Sequence, residues 1–317
     1  MANKKKQVVL VTGAGSPGYT GIVEALEGYT VIGTDASADS AGKFQVDNFY
    51  KVPWAYQDAF ISEMIKICQK EAVDVILPKT TAELEILSIN KKKFGKTKIS
   101  ITDAEEMFIC NNKFQFITNC MLKGIPAPKQ QIVRNYMAFQ RIISEFGYPN
   151  KTICLKQIYG SGGRGFHIMK PHDLIVATPF PEMIVMEYLP GDEYSVDILA
   201  DQGEALVVIP RLRIKTRGGV SVVGITEKNE ELIGYSKTIV KSLKLNGIVG
   251  LQFKADVNGQ LKILECNPRL QGGNALSIGA GVNLPDLAVK LALKKKFEIP
   301  EPKWGTKMYR YFKEIYE

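Results

Sequence analysis

Histidine is scarce in this chain: among 317 residues there are two, His167 and His172. That leaves little room for a His-ligated metal centre and few candidates for a His general base. The five cysteines, Cys68, Cys110, Cys120, Cys154 and Cys266, are scattered, odd in number and without a Cys-x-x-Cys pair. Such usage argues against a disulfide framework and a zinc site, and fits buried apolar thiols in a reducing compartment. No apolar run approaches the roughly 20 residues of a membrane helix. The start, Met1-Ala-Asn-Lys-Lys-Lys-Gln, is basic, but the apolar stretch Val8 to Thr12 is too short for a signal sequence. The expected location is the cytoplasm, without a membrane partner. Also missing is a basic stripe interleaved with aromatics. The net charge is +8, from 41 basic and 33 acidic residues. An anionic small ligand accounts for that excess as well as nucleic acid does, and no nucleic-acid partner is expected.

What is present is a globular composition, 45% hydrophobic and 23% charged, long enough for two or three domains. An apolar strand, Val8 to Thr12, leads into Gly13-Ala-Gly15-Ser-Pro-Gly18, a helical run to Leu26, and a second strand ending at Asp35. This matches the dinucleotide fingerprint in its strand-turn-helix context. An NAD(P)-dependent oxidoreductase using Gly13, Gly15, Gly18 and Asp35 is therefore one reading, and a plain tight turn is another. Helix and strand patterns then alternate to Ile101, the signature of a doubly wound parallel sheet.

Past Asp103 the pattern shifts. A helix carrying Asn112 and Lys113 is broken by Gly124-Ile-Pro-Ala-Pro128. Tyr159-Gly160-Ser-Gly162-Gly163-Arg164-Gly165 then reads either as a mobile hairpin able to fold its amides over phosphates or as a flexible turn. It lacks the Lys-Ser/Thr ending of a P-loop. Lys156 precedes it on an apolar strand, where a lysine is costly to bury unless it faces an anion. From Met183 to Leu199 the pattern is strand, bend, strand. A bend between lobes exposes backbone groups that a purine edge can use, and a carboxylate just beyond can accept ribose hydroxyls. In Leu261 to Arg269, Glu265 and Asn267 are two apart on a strand and leave the same face. They are oxygen ligands of the kind Mg2+ takes when phosphates complete its shell; a polar strand end capping a turn before Pro268 is the alternative. Cations at 211, 213, 215 and 217 alternate with other residues. On a strand they share one face and could clamp a carboxylate or phosphate, or simply be solvated.

Taken in order, Asn112-Lys113, Lys156 with its glycine loop, Met186-Glu187-Tyr-Leu-x-Gly-x-Glu193, Val249-Gly-Leu-Gln252-Phe and Glu265-Cys-Asn267-Pro-Arg269 resemble an ATP-grasp domain. The likeness runs from about Asn111 to Leu293 and is nearest the carbamoyl-phosphate synthase large subunit and biotin carboxylase branch. The first hundred or so residues resemble that superfamily's pre-ATP-grasp domain, which does not use its glycine turn for NAD. The implied fold is α/β and α+β. A doubly wound parallel-sheet domain (1–108) is followed by a two-lobed ATP-grasp domain, with a small lobe (109–186) and a C-terminal lobe (187–317).

The resemblance also implies roles. Lys113 and Lys156 contact the α and β phosphates, and the loop with Gly160, Gly162, Gly163 and Gly165 closes over the triphosphate. Glu187, Tyr188 and Leu189 form the adenine seat, and Glu193 binds ribose. Gln252, Glu265 and Asn267 coordinate Mg2+, with Mn2+ as a substitute. Arg269 faces the reacting phosphoryl group, and Arg211 and Arg217 contact the acceptor. Gln252 departs from the carboxylate of many ligases and matches carbamoyl-phosphate synthases. The implied activity is ATP-dependent ligation of a small carboxylate to an amine, in a chain that includes a homodimer among its expected assemblies. A carbamoyl-phosphate synthase-like subunit acting on bicarbonate or carbamate is the nearest competitor. A non-catalytic ATP-binding subunit is a further one.

Overall fold

The computed structural model describes residues 6–160, 165–173 and 183–317. The chain opens with β1 (Val8–Thr12), α1 (Tyr19–Glu24), β2 (Thr30–Asp35), β3 (Asn48–Lys51), α2 (Ala59–Lys70), β4 (Val75–Leu77), α3 (Thr81–Ile89) and β5 (Lys98–Ile99). The strands form one parallel sheet in the order β3-β2-β1-β4-β5, so the chain reverses direction across the sheet beside β1. As a central parallel strand β1 is buried on both faces, which is why it reads as an unbroken apolar run. Leu10, Ile32 and Ile76 pack under α2 and α3. On the opposite face, Val9, Val11 and Leu77 pack against Ile22 and Leu26 and against Leu284 and Leu287 from far along the chain.

The expected helix through Asn112 is two helices, α4 (Ala104–Asn111) and α5 (Lys113–Leu122). The break has a local cause: Asn112 leaves helical conformation and its side chain accepts the Gln115 N–H at 2.9 Å, an N-cap. Next come β6 (Gln130–Val133), α6 (Tyr136–Glu145), β7 (Ile153–Gln157), β8 (Phe166–Met169) and β9 (Met183–Glu187). These strands form an antiparallel sheet ordered β6-β9-β7-β8. Strand alternation divides β7. Ile153 and Leu155 pack with Phe139, Ile142 and Ile143 of α6, while Cys154 and Lys156 line a cavity on the other side.

The remainder is β10 (Glu193–Asp201), β11 (Glu204–Arg217), β12 (Val220–Thr226), α7 (Glu230–Ser242), β13 (Gly247–Ala255), β14 (Leu261–Asn267), α8 (Ala275–Gly279), α9 (Leu284–Ala292) and β15 (Lys307–Tyr309). A six-stranded antiparallel sheet runs β14-β13-β10-β11-β12-β15. One of its faces sends Val196, Ile198, Val249, Leu251 and Phe253 into a core with α5 and α7. Leu199, Ile209 and Ile248 of the other face join the N-terminal sheet's second core. The N-terminal sheet is thereby locked to the C-terminal one, and the polar remainder of that face borders the gap between them. All five cysteines are buried and unpaired, as their scattered placement suggests. Among the described residues, no helix is long and apolar enough to cross a membrane.

Candidate active site

One cross-strand row organises the site. Arg211 on β11 lies opposite Ser195 on β10, Ser195 opposite Gln252 on β13, and Gln252 opposite Glu265 on β14. Directly opposed residues of antiparallel strands share a face, so all four border one cavity. Beyond Gln252 the pairing slips by one residue, a β-bulge that re-aims side chains. Leu261, Ile263 and Cys266 face the core, whereas Leu264, Glu265 and Asn267 all line cavities. Glu265 and Asn267 do share a face, and the Asn267 amide donates to Glu265 Oε1 at 3.0 Å.

A cavity of about 400 Å³ lies between the four-stranded and six-stranded sheets. Its apolar wall comes from Met186, Leu189, Ile168 and Leu264; its charges are Lys113, Lys156, Glu187, Glu193, Arg213, Lys254 and Glu265, and Tyr188 and Gly160 complete the set of expected residues. Lys156 Nζ donates to Glu265 Oε2 at 2.8 Å. Burial pushes the Glu265 carboxyl up, but Lys156 and Lys113, with hydrogen bonds from Lys156 and Asn267, outweigh it and hold the group down at about 2. Burial pulls Lys113 down to about 8 against the opposing charge of Glu265, and Lys156 adds to the drop. The Lys113 ammonium donates to the Gly160 carbonyl, which ties α5 to the start of the glycine loop. Gly165 has φ +68°; Gly162 and Gly163 lie outside the described residues. Glu187 accepts from Lys262 Nζ at 2.8 Å, and its own N–H bonds the Lys129 carbonyl at 3.0 Å. A purine edge would therefore have to use the other backbone groups of this bend. Glu193 pairs with Arg213, with Lys254 at 3.7 Å.

A second cavity, about 290 Å³, adjoins the first and shares Gln252, Glu265, Arg213 and Gly219 with it. Lys79 from the turn after β4, Thr81 from the start of α3, Ser16 and Pro17 from the N-terminal glycine turn, Arg269 and Gly272 close it. Arg269 donates to Thr81 Oγ1 at 2.8 Å, to the Leu270 carbonyl at 3.0 Å and to Asn267 Oδ1 at 3.3 Å. Its donors thus meet neutral acceptors.

The basic strand departs from the expectation of one shared face. Register shifts between Arg213 and Thr216 break the alternation, so Arg213 and Thr216 reach the larger cavity. Arg217 is exposed and stacks its guanidinium 5.5 Å from the Phe312 ring, outside both cavities. Arg211 is 1% exposed. It is held by Asp197 at 2.7 Å, Gln271 at 2.9 Å and the Gly273 carbonyl at 3.0 Å, so its charge is compensated within the wall it forms. Room for this arrangement is left by missing side chains: a Cβ on Gly250 would sit 2.3 Å from Gln271, and one on Gly273 2.3 Å from Arg211 Nη1.

The N-terminal glycines shape a turn beside the same junction. The Gly15 N–H donates to Asp35 Oδ2 at 2.8 Å, and Asp35 Oδ1 takes the Ser37 N–H. The carboxylate that a dinucleotide ribose would need is engaged in the turn. Gly18, at φ +78°, packs so closely that a Cβ would lie 2.4 Å from the Gly272 carbonyl. Gly18 fits two halves of the molecule together, and with Asp35 engaged in the turn the oxidoreductase reading loses its ribose carboxylate.

Lys79 escaped the sequence reading. The available signal was its position at the carboxyl end of a strand beside the reversal point of a parallel sheet, where ligands bind in such folds. For a hard cation, the donor set around Glu265 fits. It offers one ionised carboxylate and the amide groups of Gln252 and Asn267, and Lys156 already presents a positive charge to it. Among the described residues there is no group of three or more His, Cys, Asp or Glu side chains able to hold a metal by itself, so ligand oxygens would have to complete the shell.

Comparison with known proteins agrees with this geometry. Residues 179–313 match the family described as ATP-grasp in the biosynthetic pathway with Ter operon. Residues 9–102 match the PylC-like N-terminal domain. The chain therefore carries an ATP-grasp domain behind a PylC-like N-terminal domain. It is 22% identical over 262 residues to the carbamoyl phosphate synthase large chain of Clostridium acetobutylicum, covering 77% of this chain and 24% of that protein. The chain thus spans about a quarter of the curated relatives it matches. Among solved structures, the biotin carboxylase domain of Hydrogenobacter thermophilus 2-oxoglutarate carboxylase, in complex with MgADP, ADP and bicarbonate, superposes with a TM-score of 0.74 at 18% identity, over 96% of this chain and 73% of that one. N5-carboxyaminoimidazole synthetase of Staphylococcus aureus, complexed with ADP, gives 0.72 at 17% identity, over 95% and 82%. The fold is theirs.

Proposed function

We propose that the chain is an ATP-dependent ligase that activates a small carboxylate as an acyl phosphate and passes it to an amine. The observation that carries this reading is the wall common to the two cavities: Gln252, Glu265 and Arg213 border both. The larger cavity is of nucleotide-binding size. In this reading Lys113 and Lys156 grip the phosphates under the Gly160–Gly165 loop, backbone groups around Glu187, Tyr188 and Leu189 meet adenine, and Glu193 meets ribose. Gln252, Glu265 and Asn267 hold Mg2+, or Mn2+ in its place, which supplies charge neutralisation on the phosphate oxygens. Arg269 stands in the smaller cavity with its donors on neutral acceptors and steadies charge on the transferred group.

The chemistry balances without a histidine. A carboxylate oxygen forms a bond to the γ-phosphorus as the bond to the bridging oxygen breaks and ADP leaves. The amine then attacks the acyl carbon, inorganic phosphate departs, and the amine loses a proton. Phosphoryl transfer asks mainly for positioning and charge neutralisation. A bicarbonate acceptor is the second reading, motivated by the carbamoyl phosphate synthase match. A four-heavy-atom anion would leave most of the 290 Å³ cavity unfilled, which favours a larger acid. A homodimer belongs to the same proposal.

The test is an ADP- and phosphate-release screen over carboxylates, bicarbonate included, crossed with amines, with Glu265→Gln as control. Release requiring both acid and amine is expected. A Glu265→Gln protein as active as wild type sinks the metal assignment, and MgATP binding without ADP release from any pair points to a non-catalytic subunit.

A further inference from the structure

The charges around the smaller cavity do not balance. Arg211 has Asp197, Arg213 has Glu193, and the one carboxylate in the wall, Glu265, has Lys156. Three cations in or behind the wall make no salt bridge among the described residues: Lys79, Arg310 and Arg269, the last of which feels Glu265 only at longer range. Lys79 is 3% exposed. Its backbone N–H bonds Thr12 Oγ1 at 3.0 Å, while its ammonium, in the cavity wall, has no partner among the described residues. Arg310, at the end of β15, stands behind the wall: it donates to the carbonyl of Gly272, which lines the cavity, at 2.6 Å, and leaves Nη1 buried without a hydrogen bond. Arg269 bonds only neutral oxygens. A buried lysine without a partner is costly, and like charges alongside raise that cost. Burial, with Arg269 and Arg310 adding to it, has pushed Lys79 down to about 7, where an arriving anion would recharge it.

One monoanion cannot compensate Lys79 and Arg269 together with the charge of Arg310 behind them. We infer that the smaller cavity takes an acid carrying a second anionic group, a dicarboxylate or a phosphorylated carboxylate. Lys79 receives the second group, with the charge of Arg310 behind the wall reinforcing it, and Arg269 faces the carboxylate that is activated. The inference rests on the reading of this cavity as the acceptor site. Lys79 follows β4 of the N-terminal sheet and Arg269 follows β14 of the C-terminal one, so an acid spanning them also bridges the two halves that Gly18 and Gly272 bring together.

Calorimetric titration tests this without turnover. Succinate, glutarate and 3-phosphoglycerate are each compared with a monoanionic counterpart, butyrate for the first two and glycerate for the last. At least one dianion should bind ten-fold or more tightly than its counterpart, and which arm does so tells a dicarboxylate site from a phosphate site. Lys79→Met should erase the preference and Arg310→Gln should weaken it, with ADP affinity unchanged in both. Ligand-free Lys79→Met should melt at or above the wild-type temperature, because an unpaired buried charge has gone; a lysine kept for structure would melt lower. The inference is overturned if no acid binds, if dianions and monoanions bind alike, if Lys79→Met keeps the preference, or if that variant fails to fold. A dianion preference with no ADP release from any acid and amine would instead defeat the ligase reading and leave this one standing.

Discussion

Lys156 and Glu265 are 109 residues apart in the chain, on different sheets, and meet at 2.8 Å. With the Lys262–Glu187 pair, the contact joins the four-stranded sheet to β14, and Glu265 borders both cavities. Removing the carboxylate leaves Lys113 and Lys156 facing each other without a counter-charge. Glu265→Gln should therefore lose at least a hundred-fold in ADP formation and on the order of 3 kcal/mol in stability, read by turnover assay and urea unfolding.

The same carboxylate predicts an acid dependence. Its pKa falls from the ordinary 4.5 to about 2 on folding. Between those values the unfolded chain holds the proton and the folded one does not, so stability present above pH 4.5 drains away as pH falls toward 2. The loss is about 1 kcal/mol per pH unit. Urea midpoints taken from pH 5 to 2.5 should show that slope in wild type and a shallower one in Glu265→Gln.

Lys79 and Glu83 predict opposite slopes nearer neutrality. Lys79 is lowered to about 7; from pH 7 to 10.5 the unfolded chain is the more protonated, so stability rises with pH. Burial raises Glu83 to about 7 against a hydrogen bond from Thr12, with Asp35 adding to the rise; from pH 4.5 to 7 the folded chain is the more protonated, so stability falls. The two together place a minimum near pH 7. Lys79→Met should remove the alkaline limb and Glu83→Gln the acid one, measured as melting temperature against pH.

Arginines at 211 and 217 look equivalent in the sequence and should behave differently. Arg211→Ala strands the buried Asp197 carboxylate and should cost about 3–5 kcal/mol. Arg211→Lys should rescue only part, since an ammonium cannot copy the fork that meets Asp197, Gln271 and Gly273. Arg217→Ala loses an exposed contact with Phe312, about 0.5–1 kcal/mol. Chemical denaturation of the three variants separates them.

Gly18 joins the N-terminal turn to the loop after β14. Gly18→Ala places a methyl 2.4 Å from the Gly272 carbonyl at φ +78°, and the backbone strain alone costs about 1–3 kcal/mol. A lowered melting temperature is expected, with the Km for the acid rising more than that for ATP if the smaller cavity is the acceptor site we propose, because the strain is applied there.

Local relationships were legible in the chain. Glu265 and Asn267 share a face because two residues is the strand period, and β1 reads as a buried parallel strand because both its faces are apolar. Asn112 and Lys113 could be marked as a pair, but the break between two helices there depends on the Asn112 side chain turning back onto the Gln115 N–H. Alternation failed wherever a strand bulged. It grouped Arg217 with Arg211 and would have separated Leu264 from Glu265, and the one-residue slips on β11 and β14 undid both.

By itself the sequence determined which strands carry the oxygen donors, where the glycines stand and the order of the motifs, because these are properties of neighbours along one chain. Which charges find partners was decided only by the tertiary structure. Arg211, Arg213 and Lys156 are neutralised by carboxylates from other strands, while Lys79, Arg269 and Arg310 converge without a salt bridge among the described residues. Coulomb interactions act between groups brought close in space, and sheet register, bulges and glycine contacts set that closeness.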